Sequence, residues 1–326
     1  GVHLARDRQD KIMEGIRMSV VQPASRSTAQ ASPAAVRPIE TPAWQSLVAL
    51  FKLRVVVLLL FASVGGLFLA AGGWPGIGRL LVLVLSGGVT AAGASALNEY
   101  MERGTDALMV RTRHRRPLVT GSIARPGWVP YLATSMILVP ALTVLPFNTA
   151  LAVFLLLGAV IYLGVYTAWL KPRTPLNIVI GGAAGSAAVL SGSAAAGVWH
   201  HPGALLLALL VFVWTPTHFW SLAITYRDDY ARTNVPMMPV QLAPRAAAGW
   251  VLLHTGGTAL AALALTAQPA LGWPYVIPVG LATLYLLACS VRLVTAPSVG
   301  RARTLFLVSN LYLAAVLFAI CANVLA

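Results

Sequence analysis

Acidic side chains are scarce in this chain: nine Asp and Glu stand against 23 Lys and Arg in 326 residues. From Trp44 onward only five remain, Glu99, Glu102, Asp106, Asp228 and Asp229. Charge of either sign is rare, at 10% of residues, while 58% are hydrophobic and the mean hydropathy is +0.78. That excludes a soluble domain, which is usually about a quarter charged and has no means of covering so much apolar surface. Cysteine is nearly absent, and Cys289 and Cys321 both fall in apolar runs. A disulfide framework and a thiolate-ligated metal cluster are therefore not expected. The chain has no GxxxxGK[ST] run for nucleotide hydrolysis and no alternating strand pattern for a transmembrane barrel. It also has no nucleic-acid module that its net charge of +14 would serve.

What the chain does have is long apolar runs. Nine spans can be drawn, near 48–71, 78–98, 128–147, 150–170, 177–198, 203–224, 248–268, 274–294 and 304–325, each close to the roughly 20 residues a membrane helix needs. The expected fold is an all-α polytopic membrane protein with its helices around a central cavity that opens near the cytoplasmic face. All the Lys and Arg except Arg79 fall on one side of these spans. The positive-inside rule then puts the N-terminus and the acidic segments in the cytoplasm. Residues 1–43 are rich in Ala, Ser, Pro and Arg and lack a periodic apolar face. They read as a disordered cytoplasmic tail without the pattern of a signal peptide. Residues 44–326 form the transmembrane domain.

The five acids gather in two Arg-bearing segments, "LNEYMERGTDALMVRTRHRRP" and "YRDDYARTNVP". Asn98, Glu102 and Asp106 recur every four residues, so a helix continuing past the apolar run carries them as one polar stripe. Carboxylate and amide oxygens are hard donors suited to Mg²⁺, which in turn favours diphosphate oxygens. Glu99 points about 100° away from the stripe and is a weaker candidate. Arg103 and Arg111 lie close by and suit phosphate oxygens. Asp228 and Asp229 are adjacent and diverge on a helix. They suit a second metal, or one metal contact and one Arg contact. Lys171 and Arg173 form a small basic loop, with Lys171 suited to a terminal phosphate. His218 lies inside a span, two residues after Pro216, where an ionisable group is a functional hypothesis by default. It is about 15 Å along an ideal helix from Asp228. Metal-bound diphosphate at a membrane face implies an ionising lipid diphosphate, with an apolar cavity to keep water from the carbocation.

The stretches "FKLRVVVLL", "NEYMERGTDALMVRTRHRRPLVTG", "YTAWLKPRTPLNIVIGGAAG" and "PTHFWSLAITYRDDYARTNVPMMPV" resemble, in that order, the intramembrane aromatic prenyltransferase (UbiA-type) superfamily. The last two resemble most closely its haem-farnesylating branch. The resemblance implies that Asn98, Glu102, Asp106, Asp228 and Asp229 are catalytic and hold Mg²⁺. It implies that Lys52, Arg111, Arg116, Lys171 and Arg173 surround the diphosphate, and that His218 meets the acceptor; Arg103, from its place beside the stripe, is a further diphosphate candidate and Tyr226, beside the second acidic pair, a further acceptor candidate. The implied substrates are farnesyl diphosphate and haem b, joined at a vinyl group with addition of water. The implied setting is a bacterial inner membrane, among its lipids, with a haem A synthase as candidate partner. Two other readings remain: a prenyltransferase acting on a quinone precursor or other aromatic acceptor, and a lipid or metal transporter. The chain departs from the family pattern at Glu102, where Asp is common. It also has one extra residue in "RTRHRRP", which leaves Arg115 or Arg116 as the match, and Leu53 in the opening Lys-x-Arg.

Overall fold

The computed structural model describes residues 42–325, apart from Asn234. The tail expected over 1–43 lies outside the described residues except for its last two, and a helix already begins at Ala43. Among the described residues there is no strand, and nine helices are long and apolar enough to cross a membrane. They are α1 (Leu53–Ala71), α2 (Ile77–Leu108), α3 (Pro126–Val144), α4 (Thr149–Leu170), α5 (Asn177–Ala195), α6 (Pro202–Thr225), α7 (Pro244–Leu265), α8 (Trp273–Thr295) and α9 (Val299–Leu325).

Three departures from regular helices position the functional side chains. The first is length. The 32 residues of α2 span about 48 Å, against an apolar slab of about 30 Å. The apolar run stops near Leu97, but no proline interrupts "NEYMERGTDAL", so the helix carries on and lifts its acidic stripe towards the membrane face. The second is a break at Lys52. The sequence reading runs span one from residue 48, whereas the short helix Ala43–Leu50 ends before Phe51 and α1 starts anew at Leu53. Lys52 sits at φ 47°, the only positive φ outside glycine among the described residues. A left-handed backbone costs a residue with a Cβ about 1–3 kcal/mol, and here it turns the lysine onto α2. The third is the second half of α4, Val160–Leu170, which is a π-helix. Its wider register is visible where the Lys171 N–H reaches the Tyr166 carbonyl at 2.8 Å and the Thr167 hydroxyl reaches the Tyr162 carbonyl at 2.8 Å. Long π stretches are rare and cluster at functional sites.

The packing follows from small residues. α5 lies against α1 and α4, α2 against α3, and α6 against α7 and α9. A Cβ on Gly192 of α5 would stand 1.7 Å from the Ser63 carbonyl oxygen of α1, and one on Gly66 of α1 would stand 2.2 Å from the Val189 oxygen. This crossing brings backbone onto backbone, the mode of close approach that small residues permit in membranes. The largest buried cluster fills the space among α6, α7, α8 and α9, with Trp220, Tyr275 and Tyr312 fully enclosed.

Candidate active site

The N-terminal end of α1, the C-terminal thirds of α2 and α4 and the segment after α6 meet at one end of the bundle. Asn98 is buried, and its side chain is held at both ends. Its oxygen accepts from the Lys52 ammonium, and its amide donates to Thr167 Oγ1 at 3.1 Å. Lys52 Nζ also lies 3.5 Å from the Tyr162 hydroxyl. One turn on, Glu102 accepts from Lys171, which sits 5.7 Å from the centre of the Tyr166 ring. One further turn on, Asp106 lies 3.6 Å from Arg116 Nε. The four-residue spacing thus gives each donor on the stripe its own cation, from three different parts of the chain.

Electrostatics here is a matter of cations held in little water. Burial, aided by Arg116, lowers the Lys52 ammonium to about 8, although Glu102, Glu99 and Asp106 pull it up. Burial pulls Lys171 down too, but the adjoining Glu102 carboxylate outweighs it and holds the group above the ordinary lysine range. Arg116 is set by Glu99, whose fully enclosed carboxylate accepts from its Nη1 at 3.1 Å and from the Leu118 N–H at 3.5 Å. The side chain that diverges from the stripe therefore has a task of its own, and it is Arg116, not Arg115, that joins this cluster.

The second acidic segment folds back onto the loop after the first. Asp229 accepts from the backbone N–H of Val110 at 3.1 Å and of Arg111 at 2.9 Å, with Arg232 Nη1 at 3.5 Å. It therefore caps the start of the short helix Val110–Arg113. Asp228 is exposed on a cleft of about 480 Å³, lined also by Arg111, Arg115, Tyr226 and Arg232. The Arg111 guanidinium lies 5.5 Å from the Tyr226 ring centre, and its buried Nε has no hydrogen-bond partner. Tyr226 thus stands beside an anion-seeking group.

Two residues expected at the diphosphate do not join either group. Arg103 follows Glu102 by one position and so turns about 100° away. It donates to the Tyr100 carbonyl at 2.7 Å and lies over that ring. Arg173 folds back to cap α4, donating to the Ala168 and Trp169 carbonyls. His218 lies deeper on α6, its Nδ1 3.0 Å from Ser309 Oγ on α9. Sequence reasoning missed Tyr162, Tyr166 and Thr167, which face the cluster only because α4 widens into a π-helix, a change that no residue type announces.

Among the described residues no three His, Cys, Asp or Glu side chains converge into a metal site made of protein alone. Hard oxygens spread singly along a helix, each beside a cation, suit a site completed by phosphate oxygens, since Mg²⁺ is usually held by one or two carboxylates plus substrate phosphates and waters. This fold and site define a class, the intramembrane prenyltransferases. The chain belongs to the UbiA prenyltransferase family, whose pattern matches residues 58–320. A protoheme IX farnesyltransferase 2 of Paramagnetospirillum magneticum is 44% identical over 195 residues, 60% of this chain and 67% of that protein. A protoheme IX farnesyltransferase of Metallosphaera sedula is 37% identical over 271 residues, 83% of this chain and 93% of the relative. A digeranylgeranylglyceryl phosphate synthase structure superposes with a TM-score of 0.71 at 13% identity, covering 86% of this chain and 98% of its own. A UbiA homologue from Archaeoglobus fulgidus, solved bound to GPP and Mg²⁺, gives 0.57 at 17% identity over 85% of this chain and 99% of its own. At such identities the likeness is one of fold.

Proposed function

We propose that this chain transfers the farnesyl group of farnesyl diphosphate to a vinyl group of haem b, with addition of water, giving haem O and diphosphate. The observation that carries the reading is the stripe Asn98, Glu102, Asp106, each donor beside a cation at one end of an apolar bundle. The names of the relatives, matched over most of the chain, support the acceptor. A transporter gives no reason for this stripe, and a quinone precursor is not favoured by those relatives.

The donor set fits Mg²⁺. Asn98, Glu102, Asp106 and the exposed Asp228 would hold it, and when bound it supplies positive charge to the departing diphosphate. The chain's own residues do the rest. Lys52 and Lys171 exchange their contacts with Asn98 and Glu102 for phosphate oxygens when substrate arrives. Arg116, oriented by Glu99, faces the same oxygens, and Arg111 offers its unpartnered Nε. The apolar helices receive the farnesyl chain and keep water from C1 until the vinyl carbon has bonded to it. Water then adds to the cation left on the haem side chain, and a proton is released.

The setting we propose is a bacterial inner membrane with the acidic end in the cytoplasm, and a haem A synthase is a candidate partner as the consumer of the product. The test is incubation of purified protein in lipid with farnesyl diphosphate, Mg²⁺ and either haem b or a quinone precursor, read by product mass. Farnesylated, hydrated haem supports the reading. Prenylated quinone precursor without any haem product overturns the acceptor and keeps the chemistry.

A further inference from the structure

The polar end of the bundle carries two sets of cations. Lys52, Lys171 and Arg116 belong to the stripe, each beside its own oxygen donor. Arg115 and Arg232 belong to the cleft of about 480 Å³ at the end of α6. Arg111 stands at the seam, lining the cleft and within electrostatic reach of Tyr166 on α4. The fold has sorted one basic run. Arg116 goes to the stripe and Arg111 and Arg115 to the cleft, while Arg113 turns to His114, its Nε 2.9 Å from the imidazole Nε2. A diphosphate with its Mg²⁺ finds its cations on the stripe, so Arg115 and Arg232 are left over.

The cleft is not balanced from within. Arg111, Arg115 and Arg232 line it together with two carboxylates, Asp228 and Asp229. Asp229 is engaged by two backbone N–H groups, one on each oxygen, and meets Arg232 only at 3.5 Å. Arg115 is exposed, and its side chain has no hydrogen-bond or ion-pair partner among the described residues. The Arg111 Nε is buried and unpartnered. Buried donors are nearly always paired, so one that is not marks a place for a ligand atom.

The shape of the cleft narrows the ligand. A guanidinium presents a flat fork of donors that matches a carboxylate. Two such forks, one from the loop after α2 and one from the turn after α6, suit a ligand with two separate carboxylates better than one compact phosphate. Tyr226 adds a hydroxyl and a ring to the same wall. Thr225 and Tyr226 close the last turn of α6, which runs from there into the apolar bundle. The cleft therefore fits the polar edge of a flat amphiphile whose other edge is apolar. Haem b has this form, with two propionates on one edge of the porphyrin and two vinyl groups on the other.

We propose that this cleft binds the propionates of the acceptor, Arg115 and Arg232 each pairing with one carboxylate and the Tyr226 hydroxyl donating to one of them. This rests on the haem reading above and specifies which edge of the acceptor is held. No covalent bond is made or broken. With Asp228 engaged by the metal, two guanidiniums meet two carboxylates. Held at the mouth by its charged edge, the porphyrin turns its vinyl edge into the bundle, towards the prenyl chain, and keeps its own negative charge away from the stripe.

The experiment uses full-length protein in lipid nanodiscs, with empty nanodiscs as the blank. Binding of haem b and of its dimethyl ester is read by Soret absorption. The ester keeps the iron, the ring and both vinyl groups and loses both charges. Wild type is expected to bind it at least about tenfold more weakly than haem b, for the loss of charge-assisted hydrogen bonds. Arg115→Gln and Arg232→Gln are each expected to weaken haem b about tenfold, to bind the ester as wild type does and to keep their affinity for farnesyl diphosphate. Equal affinity of wild type for haem b and the ester, which needs no variant, overturns the proposal. So do variants that lose haem b and the ester alike, the mark of a structural role. Variants that keep haem b and lose farnesyl diphosphate make the cleft a phosphate site and also overturn it. An ester farnesylated as efficiently as haem b at low concentration sinks the propionate contacts alone. Propionate-dependent binding of a haem that is never farnesylated sinks the haem reading alone.

Discussion

The Asp229 carboxylate accepts hydrogen bonds from the backbone N–H groups of Val110 and Arg111, one on each oxygen, at 3.1 and 2.9 Å. Two acidic segments more than a hundred residues apart are thus physically one unit, with the second holding the loop that presents Arg111. The neighbouring Asp228 is left exposed on the cleft. Two adjacent aspartates therefore have different work. Asp229→Asn replaces one acceptor with a donor facing an N–H. It is expected to cost about 1–3 kcal/mol of stability and to weaken farnesyl diphosphate binding. Asp228→Asn is expected to leave the thermal midpoint nearly unchanged and to lower turnover at least about tenfold. Melting curves and steady-state kinetics on both variants check this.

Glu102 and Lys171 form a part-buried pair with little water around it. Lys171→Met strands the carboxylate, and Glu102→Gln removes the ammonium's partner. Losing one partner of a buried pair costs about 3–5 kcal/mol, whereas replacing both is often neutral, and some exposure here lowers that figure. The double variant is expected to regain much of the stability lost by Lys171→Met and none of the activity. A double-mutant cycle read in parallel by unfolding and turnover measures the coupling.

Lys52 is expected to leave a pH signature on stability. Its folded-state value of about 8 lies below the ordinary 10.5 because burial, and then Arg116, oppose the charge. Between those two values the unfolded chain holds the proton more often than the folded one, so this group makes folding more favourable as pH rises through that window. Below about 8 both states are charged, and the whole cost of the buried ammonium remains. Metal-free wild type is therefore expected to gain stability relative to Lys52→Met from pH 8 towards 10.5. A gap that stays constant with pH contradicts this.

In the proposed mechanism a divalent cation is needed only where the stripe meets phosphate. Chelation with EDTA is expected to abolish turnover, with Mg²⁺ restoring it, and to leave the helical content untouched, since no protein-only metal site exists among the described residues. Circular dichroism before and after chelation, beside an activity assay, separates the two effects.

Gly192 tests the fold itself. Its absent Cβ makes room for the Ser63 carbonyl, an atom that cannot swing aside. Gly192→Ala is expected to cost several kcal/mol, beyond the usual range of about 1–3 kcal/mol for overpacking, and to show as poor insertion or a markedly lower thermal midpoint. Gly104→Ala, in open space on α2, is the control and is expected to be neutral or slightly stabilising.

How far the sequence reached can be judged from particular residues. Nine spans and the stripe Asn98, Glu102, Asp106 were legible because hydropathy and a four-residue spacing are local properties. The cation that each member meets was not, because Lys52, Lys171 and Arg116 arrive through tertiary packing. The break at Lys52 escaped because an apolar run hides a single left-handed residue. Glu99 looked misplaced because its partner Arg116 returns from a loop 17 residues on. The partners of Arg103 and Arg173 were not legible either, because the Tyr100 carbonyl and the end of α4 become available to them only once the helices are formed.

The most direct test of the account is a single-turnover experiment on purified protein in lipid with farnesyl diphosphate, haem b and Mg²⁺, counting diphosphate released against haem product identified by mass. The expected result is one diphosphate for each haem that has gained a farnesyl group and a water. Diphosphate released with unchanged haem, or no turnover at all by protein that is folded and binds both substrates, contradicts the account.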